Sequence, residues 1–104
     1  MTKYVFSYHG DGEMPSDPAA IEEVMQAWGA WFGGLGDAVV DGGNPFGATR
    51  SVASDGSVTD GNAARLTGYS IVNADSLDAA VAMAKGCPVL GGGGSVSVSE
   101  TIDM

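Results

Sequence analysis

The sequence is short of basic residues, cysteine and histidine. Lys3, Arg50, Arg65 and Lys85 are its only cations against thirteen Asp and Glu, for a formal net charge of −9. Phosphate backbones and anionic lipid surfaces are gripped by clustered Lys and Arg. No such cluster is present, so neither nucleic acid nor a membrane surface is an expected partner; the acidity itself reads as a device for solubility. Cys87 is the single cysteine, which rules out an internal disulfide and suits a reducing compartment. One His and one Cys supply too few soft ligands for a structural transition-metal site; no metal and no other cofactor is expected. No apolar run is long enough to span a bilayer. The apolar stretch within Met1–His9 is too short and polar for a signal peptide, and a cytoplasmic location is expected.

What is present fits one globular domain. The chain has 104 residues, 44% of them hydrophobic, enough for a single core without covalent staples. Lys3 to His9 reads as a strand, with Tyr4, Phe6 and Tyr8 alternating against Val5, Ser7 and His9. A helix follows. Asp17 is its expected N-cap, and Pro18 suits the first helical position, where its missing N–H costs nothing. Ile21, Val24, Met25, Trp28, Phe32 and Leu35 then fall on one face, with Trp31 at its edge. Gly29 within this helix suggests close packing on a sheet, and Gly34 and Gly36 mark its end.

Ala38–Asp41 is a short strand candidate. Asp55-Gly56 signals a hairpin turn between Thr49–Val52 and Ser57–Thr59. Leu66–Ala74 is a firmer strand. A second helix follows, with Asp75 as expected N-cap, Asp78 near the positive end of the dipole, and Leu77, Ala80, Val81 and Ala84 as its apolar stripe. Lys85, Gly86 and Pro88 stop it. Gly91–Gly94 read as a flexible loop, since they lack the Lys-Ser/Thr ending of a phosphate loop and precede a strand. That strand, Ser95–Ser99, alternates Ser with Val.

The order of strand, helix, two strands, helix and strand is the split βαβ pattern of an α+β, ferredoxin-like fold with an antiparallel sheet. Two helices cover only one face of such a sheet. Tyr, Val and Ile in the central strands make a bare second face unexpected, and a second subunit is the simplest cover. In this topology the end of the first strand lies near the starts of the third and fourth core strands. His9 to Glu13, Asp17, Asp41 to Arg65 and Gly91 to Gly94 are therefore expected at one end of the sheet, where loops commonly carry function.

His9 is the lone side chain of a type that changes charge near neutral pH. It is the candidate general base, with Asp60 as the expected partner and Asp11 as the alternative. Tyr8 and Tyr69 offer phenol donors. Arg50 and Arg65 can each grip a carboxylate, and Arg65, just before a core strand, is the better placed. The same residues also fit plain structural roles: a solvated strand end, locally satisfied phenols and surface ion pairs. Cys87 lies at a helix C-terminus, an environment that disfavours a thiolate nucleophile.

Lys3-Tyr4-Val5-Phe6-Ser7-Tyr8-His9-Gly10-Asp11 resembles the start of YCII-related proteins, in particular their DGPF-type subgroup. So do Val58-Thr59-Asp60-Gly61, Gly68-Tyr69, Ala74–Ala80, Ala84–Pro88 and Gly93–Val96. The resemblance runs along the whole chain and is densest in its second half. It departs after Gly61, where the subgroup typically has Pro-Phe and a charged stretch and this chain has Asn62-Ala63-Ala64-Arg65. Some relatives carry a histidine in the first helix, paired with an aspartate and suspected of catalysis; this helix has none. The resemblance implies a dimeric α+β barrel in which two sheets face each other. The functional expectation is a homodimeric acid–base enzyme of isomerase or lyase type, acting on a small molecule through His9. The alternatives are a module that binds a metabolite or a protein, and a structural dimer.

Overall fold

The computed structural model describes residues 2–10, 17–61 and 65–103. Strand β1 spans Thr2–His9 and helix α1 Pro18–Leu35. Strands β2 (Val39–Asp41), β3 (Arg50–Val52), β4 (Val58–Asp60) and β5 (Leu66–Ala74) follow. Helix α2 (Leu77–Ala84) and strand β6 (Ser95–Glu100) complete the chain. The main sheet has the order β2-β5-β1-β6 with every neighbouring pair antiparallel. The fold is α+β, and this order is compatible with a ferredoxin-like arrangement. β3 and β4 form a separate two-stranded sheet.

Alternation builds the core. In β1, Tyr4, Phe6 and Tyr8 are buried while the residues between them stay half-exposed. In β5 the buried set is Gly68, Ser70, Val72 and Ala74. The register sets Phe6 opposite Ser70 and Val98, and Tyr8 opposite Gly68 and Val96. Directly opposed residues share a face, so these form one apolar layer under the helices. Phe6, Val72 and Ser70 are fully buried.

Asp17 caps α1 as expected, its carboxylate accepting the Ala19 N–H at 3.2 Å, with Pro18 in the first turn. Gly36 closes the helix, its N–H donating to the Phe32 carbonyl. The apolar stripe is differently placed from the sequence expectation. Met25 is 64% exposed, whereas Trp31 packs on the core with Trp28 and Leu35. Trp31 lies stacked against Phe6 at 5.9 Å and donates its indole N–H to the Met83 carbonyl at 3.0 Å. That hydrogen bond ties α1 to α2 and turns the helix toward the sheet around its tryptophans. Gly29 is not a close-packing site either: a methyl group there would meet nothing within 4 Å.

The second helix is capped by Ser76, not Asp75. The Ser76 hydroxyl accepts the Ala79 N–H at 3.1 Å, which places Asp78 in the first turn beside the exposed amides. Only Ala80 and Ala84 of its stripe are buried; Leu77 and Val81 are 45% and 37% exposed. Gly91–Gly94 are more ordered than their composition suggests. Pro88–Gly92 form a 3₁₀ turn, and a Cβ on Gly94 would lie 2.6 Å from the His9 carbonyl. Here a glycine is required because β6 starts against the end of β1.

Between β2 and β3 the chain stays on the sheet. Pro45 bridges Gly68, and the Phe46 N–H donates to the Thr67 carbonyl at 2.8 Å. Gly43, at φ +73°, makes this approach possible, since a Cβ there would fall 1.8 Å from the Tyr69 carbonyl oxygen. The Asp55-Gly56 turn joins β3 to β4, with Ala53 N–H donating to Ser57. No described helix is long and apolar enough to cross a membrane.

Candidate functional site

Part of the expected gathering at one sheet end is seen among the described residues, where His9, Arg65 and Gly94 come together. His9 lies opposite Leu66 on β5 and opposite Ser95 on β6. A register shift between Tyr8 and His9 lets the strand end turn. The Gly10 N–H donates to the Arg65 carbonyl at 3.2 Å, so Arg65, just before β5, lies beside the end of β1. Arg65 holds φ +52°, a left-handed conformation uncommon for a residue with a side chain.

His9 is half-buried and faces the open side of the sheet, away from the helices. Its Nε2 shares a 2.8 Å hydrogen bond with the Ser97 hydroxyl on β6, and the tautomer decides which of the two donates. Alternation along the strands fills this side with Lys3, Val5 and Ser7 from β1, Thr67, Tyr69, Ile71 and Asn73 from β5, and Ser95, Ser97 and Ser99 from β6. None of these is Asp or Glu, in a chain with thirteen. The nearest carboxylate in register is Asp41 on the edge strand, opposite Ile71, and it accepts the Gly43 N–H at 2.8 Å. Among the described residues the open face thus carries hydroxyls, an imidazole, an amide, a lysine and a few apolar side chains, with Asp41 at its edge. Such a face can orient a small polar molecule and move a proton through His9.

The other residues singled out from the sequence have different surroundings. Asp60 sits in the β3–β4 hairpin, opposite Arg50, with the two side chains 3.5 Å apart and well exposed. The hydrogen bond of His9 to Ser97 and the ion pair of Asp60 with Arg50 involve different partners. Tyr8 points into the core rather than toward a ligand. Its hydroxyl donates to Ser70 Oγ at 2.7 Å, and Ser70 donates in turn to the Gly42 carbonyl at 2.7 Å. Burial pushes the Tyr8 phenol up to about 12, against the pull of its bond to Ser70. Tyr69 stacks on Phe46, with ring centroids 5.9 Å apart. Asp11 lies outside the described residues. Burial likewise raises the Cys87 thiol to about 11, which keeps it protonated and unreactive at neutral pH. Among the described residues no three His, Cys, Asp or Glu converge as a metal site does.

Sequence reasoning missed Ser97, which is 88 residues from His9. The signal was there in the strict Ser-Val alternation of β6, which puts every serine on the side His9 faces once the two strands pair. The Arg50–Asp60 pair was also within reach, because a turn centred on Asp55 sets those residues opposite each other. A scan against protein-family models finds no match for this chain, and a search of the curated proteins finds none either.

Proposed function

We propose that this chain is one protomer of a homodimeric α+β barrel, of the YCII-related DGPF type, that binds a small molecule between its two sheets and uses His9 for acid–base chemistry on it. The observation that carries this reading is the His9–Ser97 hydrogen bond on an open sheet face whose three long strands place no acid there. Charged residues are depleted from the centres of protein interfaces, and two chains of net charge −9 meet most easily where the long strands of neither present a carboxylate and Asp41 stands only on the edge strand. Closing that face would leave a polar, partly dry interior around His9, where a proton transfer gains from the lower dielectric. Ser97 holds the imidazole in place as an orienting partner. The resemblance of Lys3–Asp11 and of Ala74–Pro88 to YCII-related proteins supports the same assembly.

The alternative is a module that binds a metabolite without transforming it. One observation favours it: Asp60, the carboxylate expected to orient His9, is engaged by Arg50. A thermal-shift screen against a metabolite library, followed by turnover assays on the hits, separates the two. A ligand at 100 times its Kd stabilises by about 2.7 kcal/mol. The enzyme reading expects a hit that is consumed by the wild type and bound but not consumed by His9→Ala. A hit that persists unchanged with wild type supports the binding module. Light scattering that reports only monomer at micromolar concentration overturns the dimer.

A further inference from the structure

Among the described residues Arg65 is the one non-glycine with a positive φ, at +52°. A Cβ makes that conformation strained, whereas glycine adopts it freely. The chain has 17 glycines, and every other described residue with a positive φ is one of them. At position 65 the fold therefore carries strain that a glycine would remove. Such strain persists only where the surrounding structure holds the residue in place, and it gathers at ligand-binding positions. The hold is visible here. The Arg65 carbonyl accepts the Gly10 N–H at 3.2 Å, and the next residue, Leu66, stands opposite His9. The strained residue is thus fixed one position from the strand pair that carries the imidazole, and it is exposed.

We infer that Arg65 is a binding residue of the His9 site, and that the site takes a small organic carboxylate gripped by its guanidinium. The inference rests on the small-molecule site proposed above and names its substrate class. Charge carries the choice. A chain of net charge −9 repels anions at a distance, so a carboxylate is held only where a cation stands close. Lys3 lies near the far end of β1 from His9, Arg50 is paired with Asp60 at 3.5 Å in the hairpin, and Lys85 ends α2. Arg65 is the cation beside the end of β1. The three long strands put no Asp or Glu on the open face to compete with a bound anion. Geometry selects the kind of anion. A guanidinium presents paired N–H donors that match the two oxygens of a carboxylate. Phosphate is commonly held by the amides of a helix N-terminus, and position 65 leads into a strand.

Titration read by amide NMR shifts tests this at fixed ionic strength, using succinate, benzoate and pyruvate against their neutral amides and against inorganic phosphate. The proteins are wild type, Arg65→Gly, Arg65→Lys and His9→Ala, with circular dichroism to check folding. The acids are expected to move the His9, Leu66 and Ser97 amides of wild type and to bind at least tenfold more tightly than the neutral amides or phosphate. Arg65→Gly is expected to lose that preference, yet to melt about 2 °C or more above wild type because glycine relieves the strain. Arg65→Lys keeps the charge without the fork and should bind with intermediate affinity. An Arg65→Gly that melts below wild type, or that binds the acids as tightly, overturns the inference by making the side chain structural or idle. Acids and neutral amides that bind wild type alike overturn the carboxylate class and leave the small-molecule site standing, and phosphate that binds as tightly as the acids overturns the choice of anion. Acids that bind His9→Ala as they bind wild type support the inference even where turnover assays overturn the acid–base role. Open-face signals that no compound moves overturn the site and the inference together.

Discussion

On its helix side the sheet takes Phe6, Val72 and Ser70 entirely out of water; on the other side the neighbouring positions of the same strands, Val5, Ser7, Ile71 and Asn73, stay half-exposed. The strands are the same, so local propensity does not separate the two sides. The difference lies in what covers them. Helices α1 and α2 seal one side with Trp28, Trp31, Ala80 and Ala84, and side-chain choice there answers to packing. The open side bears none of that constraint. Its serines, threonine and histidine are affordable because each keeps water or a neighbour within reach. Stability is concentrated on the first side, and the chemistry proposed for this protein on the second.

The largest effect is expected where the comparison is sharpest. Phe6→Ala removes a fully buried ring that stacks on Trp31, and a loss of about 3–5 kcal/mol is expected in urea unfolding. Val5→Ala, one position away on the open side, is expected to cost far less in the monomer. Equal losses for the two would show that the open side is as tightly covered as the core.

A smaller loss tests the segment that follows β2. Gly43→Ala places a methyl 1.8 Å from the Tyr69 carbonyl and strains a φ of +73°. It is expected to destabilise by about 2 kcal/mol or more and to release residues 42–46 from β5, seen as faster exchange of the Phe46 amide. Gly29→Ala, in the open on a helix, is expected to stabilise by about 0.5–1 kcal/mol. The opposite signs distinguish a glycine the fold needs from one it merely tolerates.

Much of this was legible in the sequence. Period-two alternation gave β1, β5 and β6; Asp17-Pro18 gave the start of α1; Asp55-Gly56 gave the hairpin. The sheet-end location of His9 followed from topology alone. Three things were hidden. The choice of Trp31 over Met25 for the core depends on an indole–carbonyl bond to α2, 52 residues away. The choice of Ser76 over Asp75 as cap depends on where β5 releases the chain. The bond of His9 to Ser97 depends on strand register, which brings together residues 88 apart in the chain.

The buried relay gives a pH test of the sealed side. Tyr8 is raised to about 12 from a reference of 10.0, chiefly by burial. Its neutral form is favoured in the folded state, so this contribution is whole below pH 10 and is lost as pH climbs from 10 to 12. Cys87, raised to about 11 from 9.0 by burial, adds a loss that begins near pH 9. Tyr8→Phe is expected to cost about 1 kcal/mol at neutral pH, because Ser70 loses the donor to its hydroxyl. Above pH 10 its stability should fall less steeply than that of wild type, while the earlier loss due to Cys87 remains. Identical slopes for the two proteins would mean that the phenol is not shielded from water.

The smallest expected effect belongs to Ser97→Ala. The bond it removes joins an exposed hydroxyl to a half-buried imidazole, and both groups can turn to water in the variant. The net worth of a hydrogen bond is about 1 kcal/mol even when well protected, and here a change below about 0.5 kcal/mol is expected for the monomer, measured at high dilution. The dimer should respond differently. If a second sheet covers His9 and Ser97, losing the hydroxyl removes a hydrogen bond of the ring where water cannot replace it, and the penalty grows with protein concentration as the covered state fills. Unfolding of wild type and Ser97→Ala across a hundredfold range of concentration reads this directly. A penalty that widens with concentration places the pair inside the assembly, whereas one that stays small throughout leaves His9 on a wet surface and removes the dry interior on which its proposed chemistry depends.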